Sequence, residues 1–130
     1  MHTGRCSCDA INYEIEGELG MTYYCHCSRC RKISGSAFTA NAVVSPEQFV
    51  VTLGAALLKS FVSANGISRT FCSNCGSHLF VSQGDQMRLR LGTLDTPLNK
   101  SLQMHIFTGS KADWFEILDD LPRHEERPRA

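Results

Sequence analysis

The residues of this chain best suited to chemistry are its seven cysteines, which fall into three short clusters. Within each cluster two thiolates can reach one metal ion across a single turn, a spacing typical of zinc ligands. An odd number of cysteines also rules out complete disulfide pairing within one chain. The clusters are Cys6 with Cys8, then Cys25, Cys27 and Cys30, and then Cys72 with Cys75.

The third cluster is the most specific of the three. A C-x2-C pair followed by glycine is typical of a zinc knuckle, because Gly76 can adopt the left-handed conformation that folds the backbone around sulfur. The pair directly follows a predicted hairpin strand, which would give it a rigid base. Two reduced thiols in a plain turn are the alternative. A thioredoxin-like redox pair is disfavoured, because no βαβ pattern surrounds the motif.

A structural zinc ion needs four protein ligands, and the knuckle supplies only two of them. Cys6 and Cys8 form the other cluster that has two cysteines and no third. Joining them to the knuckle predicts a closed site of four thiolates that would tie the N-terminal strand to the middle of the chain. Cys25 and Cys30 are the alternative partners for the knuckle.

The remaining cysteines are Cys25, Cys27 and Cys30, which lie within six residues. Three protein ligands and one open position are typical of a catalytic zinc site. Such a site with three thiolates carries a net charge of −1, which basic residues of the same segment would offset. The alternative is a second structural zinc ion, closed by His26 or by another residue.

Three further residues carry expectations about their surroundings. His26 lies between two ligands, so its ring should point away from the metal, at the surface or in a hydrogen bond; ligation and proton transfer are its alternatives. His105 should lie on the strand face opposite the apolar residues, towards solvent or a ligand residue. Trp114 should anchor a short helix over residues 111–118 in the core.

Alternating apolar residues separated by turns predict several short strands and a strand-dominated single domain. Residues 28–34 should form one or two helical turns ended by Gly35. Residues 45–48 resemble a helix start with a capping box. Asn65-Gly66 predicts a β-hairpin. Residues 87–91 alternate apolar side chains with arginines, which predicts a strand buried on one side.

The whole chain has 130 residues, a length that suits one domain. Thirteen Lys and Arg balance thirteen Asp and Glu, which argues against nucleic acid or an anionic membrane surface as the main partner. Acidic residues occupy the stretch where a signal peptide would be apolar, so we expect a cytoplasmic protein whose thiols stay reduced. Within the single domain of residues 1–130, the core should span about 4–122, and the charged tail 123–130 should be frayed.

Four stretches of the sequence resemble one known family, the glutathione-dependent formaldehyde-activating enzymes. They occur in the family's order and span residues 4–122, nearly the whole chain. The cysteine triplet followed by R-K-x-S-G-S is specific to the family. The stretches are G-R-C-S-C, C-H-C-S-R-C-R-K-I-S-G-S-A-F, F-C-S-N-C-G-S-H-L-F, and L-G-T-L-D followed by H-I-F-T-G-S-K-A-D-W.

The resemblance implies a mostly β structure, a β-tent fold of antiparallel sheets with short helical turns, stabilised by zinc. It implies two zinc ions per chain, one of them structural. The structural ion would be bound by Cys6, Cys8, Cys72 and Cys75, and the second ion by Cys25, Cys27 and Cys30.

The activity for which the family is named is the condensation of formaldehyde with glutathione to S-hydroxymethylglutathione. The sequence therefore predicts a carbon–sulfur lyase or synthase that joins a small thiol, glutathione or similar, to formaldehyde or another small aldehyde. Catalysis would take place through the zinc held by Cys25, Cys27 and Cys30. The alternatives are a thiol-binding carrier without catalysis and a purely structural two-zinc interaction module.

Overall fold

Short strands dominate the chain, as the turn pattern predicted. The computed structural model describes residues 1–128. Among these residues no helix is long and apolar enough to cross a bilayer. The strands are β1 (His2–Arg5), β2 (Asn12–Ile15), β3 (Thr22–Cys25), β4 (Thr39–Val44), β5 (Phe49–Leu53), β6 (Leu58–Val62), β7 (Ser68–Cys72), β8 (His78–Gln83), β9 (Gln86–Arg90) and β10 (Met104–Ile106), and the helix is α1 (Ser28–Ser34).

The strands form two sheets. The smaller sheet has the order β1-β2-β5, and the larger has the order β10-β3-β4-β9-β8-β7-β6. All pairings between these strands are antiparallel except that of β10 with β3, which is parallel and lies at one edge of the large sheet. The predicted mostly β class with antiparallel sheets is confirmed, with this parallel pair as an addition.

The main hydrophobic core contains residues of both sheets. Alternate residues of a strand point to opposite faces, so each sheet contributes every second side chain. The buried members of this core are Cys6, Ile11, Tyr13, Ile15, Leu19, Ala42, Val44, Cys72, Leu79 and Leu89. The other face of the large sheet carries Tyr23, Asn41 and Arg90, which pair in register across β3, β4 and β9. That face positions the second cysteine cluster.

Several local predictions are confirmed. The helix α1 ends at Gly35, which adopts φ 62° and donates its N–H to the carbonyl of Arg31. The hairpin turn at Asn65-Gly66 joins β6 to β7, with Gly66 at φ 83°. The predicted helix start at residues 45–48 is a single 3-10 turn over Pro46–Gln48.

The predicted helix over residues 111–118 is wrong, and so is the core position of Trp114. The segment is irregular, and Trp114 is 69% exposed. Its neighbour Phe115 packs instead against Phe38 and His26, at ring-centroid distances of 5.5 and 6.1 Å. Because the backbone of this segment is not helical, the direction of each side chain does not follow helical spacing. The ring of Phe115, and not that of Trp114, therefore points into the protein.

The expectation of a frayed tail does not hold for residues 123–126. The N–H of His105 in β10 donates to the Pro122 carbonyl at 2.9 Å, and the N–H of His124 donates back to His105 at 2.9 Å. Phe107 N–H likewise donates to the carbonyl of Glu126 at 3.0 Å. These backbone hydrogen bonds hold the segment along β10. Residues 129–130 of the predicted tail lie outside the described residues.

Candidate metal sites

The sulfur atoms of Cys6, Cys8, Cys72 and Cys75 all lie within 4.8 Å of one another. The Cys6 and Cys8 sulfurs are 3.6 Å apart, and those of Cys8 and Cys72 are 3.9 Å apart. Four thiolates at about 2.3 Å from a tetrahedral zinc ion are separated by about 3.8 Å. The geometry of this four-cysteine cluster therefore fits one metal ion.

Two loops from different sheets build the four-cysteine cluster. Cys6 and Cys8 lie in the loop between β1 and β2, Cys72 ends β7, and Cys75 lies in the following loop. Cys6 and Cys72 are buried in the main core, whereas the other two cysteines lie at the surface. Gly76 adopts φ 81°, the left-handed conformation that the knuckle motif predicted.

At two of the four cysteines, Cys8 and Cys75, hydrogen bonds favour the thiolate form that metal binding requires. The Asn74 side chain donates to the Cys8 sulfur at 3.2 Å, which lowers the pKa of that thiol. A hydrogen bond with the hydroxyl of Ser77 lowers the pKa of Cys75 to about 5. These two thiols release their protons readily to a binding metal, whereas the pKa of the Cys72 thiol is raised.

The second cluster comprises Cys25, Cys27 and Cys30, whose sulfur atoms also lie within 4.8 Å of one another. Cys25 is the last residue of β3, Cys27 is the N-cap of α1, and Cys30 lies in the first turn of that helix. The Cys30 N–H donates to the Cys27 sulfur at 3.3 Å. The three donors could hold one ion, and His26 is not among them.

Hydrogen bonds within this cluster shift the pKa values of two of its thiols in opposite directions. Hydrogen bonds with Cys25 and Cys27 lower the pKa of Cys30. Hydrogen bonds with Cys27 and Cys30 raise the pKa of Cys25. Cys30 therefore ionises before Cys25, because its two neighbours stabilise a sulfur anion at that position.

Arg90 brings positive charge to the second cluster. The side chain is 8% exposed and donates to the Thr39 hydroxyl at 3.0 Å, to the Asn41 amide oxygen, and to His78 Nδ1 at 3.2 Å. Burial lowers the pKa of Arg90, whereas the nearby sulfur of Cys30 raises it. The strand β9 was predicted to bury only its apolar side. Arg90 departs from that prediction, because its buried guanidinium donates to three side-chain acceptors.

A cavity of about 230 Å³ opens over the second cluster. A larger surface depression of about 1100 Å³ lies between residues 107–110 and 123–127, but it contains no cysteine. The smaller cavity is therefore the one through which a small molecule could reach the cysteines of the second cluster. It is lined by Tyr23, Cys25, Cys27, Arg29, Cys30, Asn41, Asn65, Ile67, Arg69, Val81, Arg88, Arg90, Ile106, Phe107 and Arg127.

The model of one protein family, described as glutathione-dependent formaldehyde-activating enzyme, matches residues 1–110. The chain belongs to this family. The resemblance of the sequence motifs is thereby confirmed, and the second cluster lies within the matched residues.

Curated relatives of this family member carry the name "putative glutathione-dependent formaldehyde-activating enzyme". The Fusarium vanettenii relative is 33% identical over 76 residues, which are 58% of this chain and 41% of that protein. The Penicillium rubens relative is 35% identical over 78 residues, again 58% of this chain and 41% of that protein. The chain thus spans about two-fifths of the length of these relatives.

A solved crystal structure of a Rhodobacter sphaeroides protein has the same fold. It superimposes with a TM-score of 0.63 and covers 75% of this chain and 91% of that protein. The sequence identity is 21%, so the similarity concerns the fold alone.

Behind the second cluster, two buried histidines of this family member connect by hydrogen bonds to an exposed carboxylate, an arrangement that the sequence did not predict. His26 is fully buried, and its Nε2 lies 2.8 Å from Nδ1 of His105. Nε2 of His105 lies 2.9 Å from the Asp119 carboxylate. The carboxylate accepts from His105 Nε2, which leaves Nδ1 to accept from Nε2–H of His26 in the neutral rings.

These contacts correct one expectation and confirm another. The solvent-facing position expected for His105 is wrong, since that residue is 2% exposed. His26 is hydrogen-bonded, as predicted, and is not at the surface. Burial lowers the pKa of His26 to about 4, and the hydrogen bond from His105 lowers the pKa of Asp119. The backbone before Asp119 forms neither a helix nor a strand, so the sequence gave no indication that this carboxylate would contact His105.

Proposed function

We propose that this family member holds two zinc ions and joins a small thiol, glutathione or a similar one, to formaldehyde or another small aldehyde. The observation that carries the proposal is the contrast between the two clusters. Four sulfurs make a complete tetrahedral set in one, whereas three sulfurs beside a cavity leave a position for a substrate in the other. The reaction would be that of a carbon–sulfur lyase or synthase.

The residues of the second cluster suit zinc, because a sulfur-rich site favours this soft-ligand metal. Zinc bound there would favour the thiolate form of a thiol ligand and polarise an aldehyde oxygen. Arg90 would offset part of the negative charge of three thiolates, because its buried guanidinium is fixed by hydrogen bonds to Thr39 and His78. The cavity walls would hold the thiol sulfur close to the carbonyl carbon, so the gain comes mainly from positioning.

In this reaction the thiol loses its S–H proton, its sulfur bonds to the carbonyl carbon, and the C=O double bond becomes a single bond. The oxygen takes up one proton to become a hydroxyl, so thiol and aldehyde add without a leaving group. We infer a cytoplasmic location for this chemistry, since a reducing compartment keeps the seven cysteines available as metal ligands.

A thiol-binding carrier without catalysis is the second candidate. Among the described residues, the cavity lining contains no Asp, Glu or His side chain that could act as a general acid or base. That absence favours a site that binds a thiol without a carboxylate or an imidazole to transfer its proton. Turnover separates this candidate from the enzyme.

The test uses protein purified without added metal, in which we expect two zinc ions per chain by elemental analysis. After replacement of zinc with cobalt, glutathione should change the visible and charge-transfer spectrum of the wild type but not that of a folded Cys27→Ser variant. The rate of formaldehyde–thiol adduct formation is then measured at low reagent concentration against the uncatalysed reaction. A changed spectrum without acceleration would leave the carrier. A spectrum insensitive to every thiol would leave the structural two-zinc module.

A further inference from the structure

The cavity over the second cluster concentrates the positive charge of an otherwise neutral chain. Thirteen basic side chains balance thirteen acidic ones overall, yet no carboxylate lines this cavity among the described residues. The basic lining residues are Arg29, Arg69, Arg88, Arg90 and Arg127. An excess of guanidinium groups facing one cavity indicates an anionic occupant.

The three thiolates of the cluster do not account for this excess. A zinc ion with three thiolates carries a charge of −1, and the hydrogen-bonded Arg90 alone balances it. The ion pairs formed by the described residues join Arg5 to Asp9 and Asp95, and His105 to Asp119. The other arginines of the cavity therefore have no carboxylate partner within the described part of the chain.

Two of these arginines are held by strands of the large sheet and point to the same face. Arg69 of β7 pairs with Val81 of β8, which pairs in turn with Arg88 of β9. Residues paired across adjacent strands lie on one face, so the two guanidinium groups flank Val81. Strands are about 4.8 Å apart, which brings the two backbone positions to within about 10 Å.

The surroundings of Arg69 point to a missing partner. The residue is 9% exposed, and its buried Nε has no hydrogen-bond partner among the described residues. Arg88 is half-buried, and its Nη2 donates to the neutral Gln86 side chain at 3.1 Å. A buried guanidinium donor without an acceptor costs free energy, which an anion in the cavity would recover.

We propose that Arg69 and Arg88 bind the carboxylate of the incoming thiol. This narrows the thiol of the proposed function, because the site would favour short thiols that carry a carboxylate near the sulfur over the larger glutathione. Guanidinium groups bind carboxylates through paired hydrogen bonds, which fix orientation as well as charge. The cavity of about 230 Å³ is smaller than the roughly 300–1,000 Å³ of common ligand pockets, which favours a short ligand. The proposal rests on the proposed function, because the thiol sulfur must occupy the open metal position.

The test compares three short thiols that differ in charge: 3-mercaptopropionate, 2-mercaptoethanol and cysteamine. Their binding to the metal-containing protein is measured from the cobalt spectrum and by calorimetry. The wild type should bind the anionic thiol about tenfold more tightly than the neutral one, and the cationic thiol least, the expected size for one charged hydrogen-bonded contact. Propionate, which lacks sulfur, should compete with 3-mercaptopropionate without changing the cobalt spectrum.

The decisive variant is Arg88→Gln, which removes one charge from a half-buried position. It should weaken 3-mercaptopropionate binding about tenfold and leave 2-mercaptoethanol within about twofold. Comparison of each variant with the wild type cancels the intrinsic acidities of the thiols. Lys59→Gln is the matched control, since Lys59 is an exposed cation of β6 outside the cavity lining. Arg69→Gln should act like Arg88→Gln, and Arg88→Gln decides alone if the more buried variant does not fold.

Equal wild-type affinities for the three thiols would overturn the carboxylate contact while leaving the proposed function in place. An equal loss for all thiols in Arg88→Gln would overturn it as well, because the effect would then not depend on the carboxylate. Failure of every thiol to change the cobalt spectrum would overturn both this inference and the proposed function.

Discussion

The two sulfur clusters use the same ligand type, but the chain builds them in opposite ways. The four-cysteine cluster joins Cys8 to Cys72, which are 64 residues apart, and buries two of its members in the main core. The three-cysteine cluster comes from six consecutive residues that span the end of β3 and the first turn of α1, on the other face of the large sheet. One metal site would therefore close a long loop, whereas the other would order only a short segment.

This difference predicts a stabilising role for the four-cysteine cluster and a ligand-binding role for the three-cysteine cluster. Cross-linking distant residues removes more conformational entropy from the unfolded chain than cross-linking neighbours does. A cluster built from neighbouring residues can leave one coordination position of its metal free for a ligand, because the fold does not need a fourth protein ligand there. The contrast teaches that the same thiol chemistry can serve the fold in one place and a ligand in another, according to the sequence distance that it spans.

The largest expected effect is that of Cys75→Ser. The variant should lose cooperative thermal unfolding and precipitate, because metal binding at a structural site is itself folding free energy. Circular dichroism melting and soluble yield measure the loss. A Ser73→Ala variant, in the same loop but without a ligand atom, serves as the control and should melt like the wild type. A Cys75→Ser protein that melts like the wild type would remove the distinction between the clusters.

Next in size is the effect of Cys27→Ser. This variant should remain folded with one zinc ion fewer by elemental analysis, because the four-cysteine cluster survives and the second cluster spans only one turn. Its melting temperature should fall much less than that of Cys75→Ser. Equal loss of the fold in both variants would mean that the second cluster is also structural.

A smaller effect is expected in the pH dependence of the free energy of unfolding, through His78, which accepts a hydrogen bond from Arg90 beside the second cluster. Burial, followed by the charge of Arg90, lowers the pKa of His78 to about 4 in the folded protein, below the unfolded value of about 6.5. The unfolded state therefore binds more protons between pH 6.5 and 4, so stability is complete above pH 6.5 and falls as the pH drops through this window.

His78→Gln should flatten this dependence, because glutamine does not titrate but can still accept from Arg90. The slope of the free energy of unfolding should decrease by a fraction of the about 1.4 kcal/mol per pH unit that one proton gives. Urea unfolding at pH 6.5, 5.5 and 4.5 measures the slope. An unchanged slope would mean that His78 is protonated in the folded protein as readily as in the unfolded chain.

The smallest effect is expected from Trp114→Ser, since Trp114 is 69% exposed. The free energy of unfolding should change by less than about 0.5 kcal/mol, as at other surface positions. Phe115→Ser should cost at least about 1 kcal/mol, because Phe115 packs on His26 and Phe38 behind the second cluster. Thermal melting of the two variants side by side compares them, and a larger loss in Trp114→Ser would contradict the assignment.

The sequence by itself determined the features that depend on neighbouring residues. The ligand spacing of the cysteines, the left-handed Gly35 that ends α1 and the hairpin turn at Gly66 follow from local backbone preferences. Alternating apolar residues indicated the strands, and the family motifs indicated the fold class. These signals need no knowledge of what lies across the sheet.

Only the tertiary structure decided which distant groups meet. It brought Cys6 and Cys8 to the knuckle, where the sequence had left Cys25 and Cys30 as alternatives. It also joined His26, His105 and Asp119, and turned Phe115 inward in place of Trp114. Strand register and the path of irregular loops fix these contacts, and both depend on packing between residues far apart in the chain.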